Sequence, residues 1–305
     1  NFSLLHDWNP SSKTGDFLFK NNHYMNYFFT NSLPDAGCGN KLFVYFLGKI
    51  LSNLYNIPYY HIGIPELKIE EKKIEDKKNN LKVINIYDII SEDDFNPNIN
   101  YRIIYNFTPT IENYKIFKNY ISLCKDAYKI RKKTINNEDL VYHFRAGDFL
   151  FCNNHYLLNG NKLEILIKTI NFNKLFVVTN LTKKTEWNMD DYLEYRKMYL
   201  EKGFHCVPIK ESICVQSDKY QEVLDHINSI INVCNKYNCT WISESVYEDF
   251  NTIRNFNKII VNVSTLSWWA AVLSNANEVY VPEKWKYKKG IKNKNLAQID
   301  LFGWH

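Results

Sequence analysis

The sequence lacks the devices that would assign a function class at once. No CxxC pair occurs among its seven cysteines, Cys38, Cys124, Cys152, Cys206, Cys214, Cys234 and Cys239. Their odd number and apolar settings read as reduced, buried thiols rather than a structural zinc site. No run reaches the ~18 unbroken apolar residues of a membrane span. No DxD triplet is present, and no His/Asp cluster has ligand spacing, so neither a metal nor another cofactor is expected. The glycine-bearing turns contain no GK[ST] and no third glycine at the dinucleotide offset, which excludes the P-loop and the GxGxxG fingerprint. A dominant charge is missing as well. Lys and Arg number 38 against 33 Asp and Glu, a formal +5, which mildly favours anionic ligands and gives no case for a nucleic-acid partner. The 22 tyrosines and 19 phenylalanines fall in apolar periodic segments and read as core rather than as base-stacking surfaces.

What is present is length and alternation. The 305 residues, 45% hydrophobic, suffice for about two domains on a prior of ~150 residues each. Strand-like runs alternate with helical periodicity, which predicts an α/β fold of parallel sheets flanked by helices. The first half reads as strands Tyr24–Phe29, Pro58–Ile62, Lys82–Tyr87 and Tyr101–Asn106, with helices Asn40–Leu54 and Ile111–Ile130. Glu66–Asn80 reads as a charged, solvated excursion, and Lys129–Asp139, KIRKKTINNED, as a linker. The second half reads as strands from Leu140, Leu175, Thr240, Ile259 and Val279. Its helices are Lys162–Ile170, Asp190–Lys202, Lys219–Asn235, Tyr247–Asn255 and Leu266–Ser274. Two Rossmann-like domains follow, 1–134 and 135–305, with a cleft between them and the last residues packing back on the first domain.

Three stretches carry candidate chemistry. In VNVSTLSWWAAVLS, Ser264 and Thr265 stand where a helix begins. Their hydroxyls either cap free N–H groups or face a ligand, since helix starts attract anions and ligands gather at strand C-terminal ends. Trp268 and Trp269 follow, read as rings wedging that helix against the sheet. In VYHFRAGDF, Arg145 leaves a strand beside a glycine turn, either as a phosphate fork or as a structural partner of Asp148. In DAGCGNKLFVYFLGKIL, Gly37 and Gly39 shape a tight turn and Asn40 opens a helix.

Together, GxGNxLFxY, HxRxGD and STxSWWAAxL, with VPEKW and WH near the end, resemble the α-1,2-fucosyltransferases and related GDP-fucose-dependent enzymes. The resemblance implies a GT-B fold, inversion at the sugar carbon, no metal, and transfer of fucose from GDP-fucose to a glycan hydroxyl. It places Arg145 on the donor β-phosphate, Ser264, Thr265 and Ser267 on the donor side, and Gly37, Gly39 and Asn40 at the cleft from the acceptor side. Two positions depart from the pattern: Ala146 stands where a second Arg is frequent, and Lys41 where Gln is common.

Asp148 and, less favoured, His143 are the candidate bases, each with a structural role as the competing reading. Thr179 and Asn180 end a strand at the level of the nucleoside, and Glu248 and Asp249 read as a solvated helix start. The expected partners are a nucleotide sugar and a glycan acceptor; the competing class is an inactive relative that only binds them. Asn106, Asn180, Asn238 and Asn262 head Asn-x-Ser/Thr triplets, which an Asn-rich chain generates by chance. Cytoplasmic placement is favoured, and a Golgi lumen is the alternative should an anchor precede Asn1.

Overall fold

The structure, a computed structural model, describes residues 28–31, 37–73, 81–85, 88, 94–96, 99–104, 114–129, 133–147, 150, 157–201 and 217–281. Two parallel sheets flanked by helices make it a Rossmann-like α/β protein. In the first half, β1 (Phe28–Asn31) leads to α1 (Cys38–Tyr55), β2 (Tyr59–His61), a short 3-10 turn (Pro65–Leu67), β3 (Lys82–Asn85), β4 (Tyr101–Ile104), α2 (Tyr114–Asn119) and α3 (Ile121–Ala127). The sheet order is β2-β1-β4-β3, every pairing parallel. Leu42, Phe43, Phe46, Leu47, Ile50 and Leu51 recur at helical spacing along α1 and are all buried. The helix ends where Asn56 takes the left-handed conformation, φ 51°, which Asn tolerates better than most residues.

The second half runs β5 (Leu140–His143), α4 (Gly160–Ile167), β6 (Leu175–Val178), α5 (Met189–Glu201), α6 (Ser217–Lys236), β7 (Thr240–Ile242), α7 (Val246–Arg254), β8 (Lys258–Ile260), α8 (Thr265–Val272) and β9 (Glu278–Tyr280). Its sheet, ordered β7-β6-β5-β8-β9, is parallel throughout. Its inner strands β5 and β6 are apolar on both faces, as a sheet covered on both sides requires. Leu140, Tyr142, Leu175, Val177 and Ile260 join a cluster with α4, α5 and α6. Val141, Val178 and Ile259 point the other way, into a second cluster.

That second cluster is shared by both halves. It holds Trp268, Trp269, Phe250 and Ile253 together with Phe43, Phe46, Leu47, Tyr101 and Phe117. The rings of Trp268 and Trp269 lie 5.3 and 4.9 Å from that of Phe43, and Trp269 also lies 4.7 Å from Phe46 and 5.7 Å from Phe117. The indoles thus face α1 and α2, not only their own sheet, because α8 packs directly on α1. Arg254, 2% exposed, ties the halves a second time. It donates to Tyr128 O at 2.7 Å beyond α3 and to Leu273 O at 3.4 Å beyond α8, carbonyls at the electronegative ends of helices. Its guanidinium also stacks over Tyr128 and Phe250 at 4.9 and 5.4 Å, and burial lowers its pKa to about 10.

Several expectations need correction. The helix expected over Ile111–Ile130 is broken at Tyr120, whose torsions, φ −117° and ψ 24°, are not helical; the residue before it, Asn119, is a weak helix former. Of the excursion, the described part packs back on the protein. Leu67 and Ile69 are buried, and bridges His61–Lys72 and Ile64–Ile69 hold it. The linker is fastened as well, since Lys133 N donates to Asn255 Oδ1 at 2.8 Å, and its Nζ reaches Thr252 Oγ1 at 2.8 Å and Glu248 at 3.2 Å. The strand expected over Tyr24–Phe29 is described only from Phe28, where β1 runs to Asn31; residues 24–27, and residues 282–305 expected to pack back on the first domain, lie outside the described residues.

Trp269→Ala is expected to destabilise the protein by about 3–5 kcal/mol, the range for emptying a large aromatic site. Trp269→Phe, which removes a buried indole N–H without a partner, should cost clearly less. Denaturant unfolding of both variants measures the contrast.

Candidate functional site

In a parallel sheet, ligands collect beyond the strand C-termini where neighbouring strands lead their chains to opposite sides. In the second sheet that point lies between β5 and β8, because β6 and β7 lie on one side of β5 and β9 lies beyond β8. Arg145 follows β5 and Ser264 follows β8. The β5 ladder continues one residue, Phe144 N donating to Val178 O at 2.9 Å, and Arg145 then emerges half-buried. Gly147 turns the chain with φ 75°, a left-handed conformation that a side chain would strain.

The path from β8 to α8 is held from below. Asn262, 1% exposed, donates to Tyr142 Oη at 3.0 Å and accepts from Val263 N–H at 2.8 Å. Ser267 Oγ lies 3.1 Å from both Asn262 O and Ser264 O. Ser267 therefore braces the loop from a fully buried position. Asn262, met in the sequence only as a triplet head inside an apolar run, is the anchor that sequence reading missed; a lone amide in IIVNV was its signal.

Ser264 occupies the N-cap of α8 and makes no side-chain capping bond, and no acidic residue stands in the first turn. The capping expected of these hydroxyls is thus not made by Ser264, and the first-turn N–H groups receive nothing from it. The start of α1 is similar. Its N-cap, Gly37, has no side chain to cap with, and its first turn holds no acid. The helix opens at Cys38, two residues before Asn40, so Gly39 lies within its first turn rather than in a loop.

Gly39 brings the two starts together. A Cβ placed there would lie 2.4 Å from Leu266 N, Thr265 C and Thr265 Oγ1, so only glycine permits this approach. Gly37, in contrast, is exposed with nothing within 4 Å of such an atom, and Asn40 is half-buried on the same turn. The Arg145 charge reaches this corner as well. The Cys38 thiol, raised to about 11 by burial and by Glu66, is pulled back by Lys41 and by Arg145. Two helix starts, each worth roughly half a positive charge, and one guanidinium therefore share a neighbourhood. Glu66, the acid that bears on it, is paired with Lys41 at 2.9 Å.

His143, 7% exposed, has its pKa lowered to about 3 by burial and then by Arg145, and its Nδ1 is buried without a hydrogen-bond partner. The imidazole is neutral at pH 7 and is a weak proton acceptor. Asp148 lies outside the described residues. Thr179 is buried, its hydroxyl accepting from Leu181 N at 3.3 Å, while Asn180 is exposed at the strand end. Asp249 is buried rather than solvated and accepts from Glu244 N–H at 3.1 Å. Among the described residues no group of three or more His, Cys, Asp or Glu is placed to hold a metal ion, and no helix is long and apolar enough to cross a membrane.

Known proteins supply no further guide. No family model, curated protein or solved structure matches the chain. The site is therefore read from its own geometry, two helix starts and a guanidinium at the C-terminal edge of the sheet.

Two outcomes test this geometry. Gly39→Val should force α1 and α8 apart and destabilise by roughly 1–3 kcal/mol or more, the cost of overpacking, seen as a lowered unfolding midpoint. The second concerns acid. Because the folded pKa of His143 lies below its unfolded value near 6.5, the unfolded chain binds the extra proton, so stability falls as pH drops from about 6.5 toward 3. His61, lowered to about 4 by burial and by Lys49 and Lys72, acts in the same direction. Asp249, raised to about 6 by burial, opposes them between about 3.8 and 6. His143→Gln should therefore flatten the acid-side decline in an unfolding-midpoint series, whatever its effect at pH 7.

Proposed function

We propose that the chain is an inverting glycosyltransferase of GT-B architecture that transfers fucose from GDP-fucose to a hydroxyl of a glycan, without a metal ion. The observation that carries this reading is the close approach of the α1 and α8 starts, neither capped by its own N-cap side chain, at the edge of the sheet where Arg145 leaves β5 near enough for its charge to bear on Cys38. The resemblance of the same three stretches to GDP-fucose-dependent enzymes supplies the donor and the α-1,2 linkage. Loss of a sugar from a nucleoside diphosphate leaves growing negative charge on the pyrophosphate. Donors fixed in advance around that charge lower the barrier without reorganising. Arg145 offers a two-pronged fork for phosphate oxygens, and the N–H groups after Ser264 and Thr265 offer further donors. Thr179 and Asn180 stand at the end of β6, beside β5, at the level where the nucleoside would extend. Gly37 and Asn40 border the acceptor side. The proton of the attacking hydroxyl is assigned to Asp148 rather than to His143, whose imidazole is buried and whose protonation is disfavoured by burial and by Arg145.

A second reading, a binding module without turnover, is favoured by one observation. Ala146, where a second arginine is frequent in the fucosyltransferases the chain resembles, is 1% exposed, so this position supplies no second guanidinium.

A thermal-shift panel of GDP, UDP, CDP and ADP with their sugar conjugates tests both. GDP at ~100 times its dissociation constant should add about 2.7 kcal/mol of stability, and Arg145→Ala should lose most of the shift. An equal response to UDP overturns the donor assignment, and no response to any nucleotide overturns the site. Donor hydrolysis by the pure protein discards the binding-only reading.

A further inference from the structure

Helix α6 ends in a cap with a chemical consequence. Cys239 N–H donates to Cys234 O at 2.8 Å and Asn238 N–H to Asn235 O at 3.3 Å, while Asn238 has φ 48°. These are the two backbone bonds and the left-handed residue of a Schellman cap, which satisfies the last carbonyls of a helix. The same motif folds the residue after the left-handed position back onto the final helical turn, where an apolar contact frequently forms. Here both contacting positions are cysteine, and the Cys239 thiol is near enough to raise the pKa of Cys234. Both are free thiols, Cys234 buried and Cys239 half-buried. The 2.8 Å backbone bond limits their Cα separation to about 6.7 Å by standard bond lengths. Disulfides span roughly 4.4–6.8 Å, so the backbone separation lies within disulfide reach.

We propose that Cys234 and Cys239 form a redox-active dithiol, closing to an intrachain disulfide by exchange with a small oxidised disulfide such as oxidised glutathione. Cys239 reacts first because it is the accessible partner. The Cys234 thiol is held protonated, far above the usual thiol range, by its contact with Cys239 and by burial. The Cys239 thiolate attacks one sulfur of the small disulfide, forming a mixed disulfide and expelling one glutathione thiolate, which takes up a proton. That step removes the contact that most raises the Cys234 pKa. Cys234 then releases its proton to solvent and attacks Cys239 Sγ. The mixed S–S bond breaks, and the second glutathione leaves as a thiol. Two protein thiols are oxidised to one disulfide while one small disulfide is reduced to two thiols. The bond joins the end of α6 to the entry of edge strand β7, at the opposite end of the sheet from Arg145.

The test incubates the full chain in glutathione buffers of increasing oxidised fraction, followed by alkylation, denaturation and trypsin, which cuts after Lys236 between the two cysteines. Under oxidising conditions the peptide ending at Lys236 and the one beginning at Tyr237 should run as a single species that dithiothreitol separates. Cys234→Ser should accumulate glutathione on Cys239, and Cys239→Ser should leave Cys234 unmodified. Separate peptides with both cysteines alkylated in the most oxidising buffer, or a Cys239 bridge to any other cysteine, overturn the proposal.

Discussion

Where Gly39 meets Thr265, two helix backbones approach as closely as a missing side chain permits, and the rest of the arrangement depends on that contact. It sets α8 against α1, which seats the tandem indoles among Phe43, Phe46 and Phe117. It also fixes where the first turn of each helix points. Packing and electrostatics thus share one origin: the force that buries the tryptophans also brings two positive helix starts together.

That convergence concentrates positive potential at one corner. Like partial charges gather beside a guanidinium, and the neighbouring acid, Glu66, is engaged by Lys41. His143 answers the same field by staying neutral, its protonated form disfavoured by burial and by Arg145. The elements that hold this corner are identifiable: Asn262 on Tyr142, Ser267 under the loop, and the aromatic cluster beneath α8.

The sequence pattern located most of the second half closely, because buried parallel strands announce themselves as short apolar runs and the helices between them keep their period. The starts at Leu140, Leu175 and Thr240 coincide with β5, β6 and β7. Arg145 at a strand end and Ser264 at a helix start were equally legible, since both follow from local order. The partners of Trp268 and Trp269 were not, because they lie in the other half of the chain and no local period encodes them. The same holds for Gly39, whose meaning depends on a helix formed near the far end of the sequence. The roles of Ser264 and Ser267 were not legible for a different reason. A hydroxyl near a helix start reads alike whether it caps, braces or waits for a ligand, and only three-dimensional neighbours separate the cases.

The continuous aromatic cluster also constrains how anything could enter and leave. Swinging the halves apart like jaws would bare both indoles to water, at a cost on the order of 10 kcal/mol from the area of two such rings. That is comparable to the entire stability of an ordinary domain. The aromatic floor beneath this corner therefore stays shut.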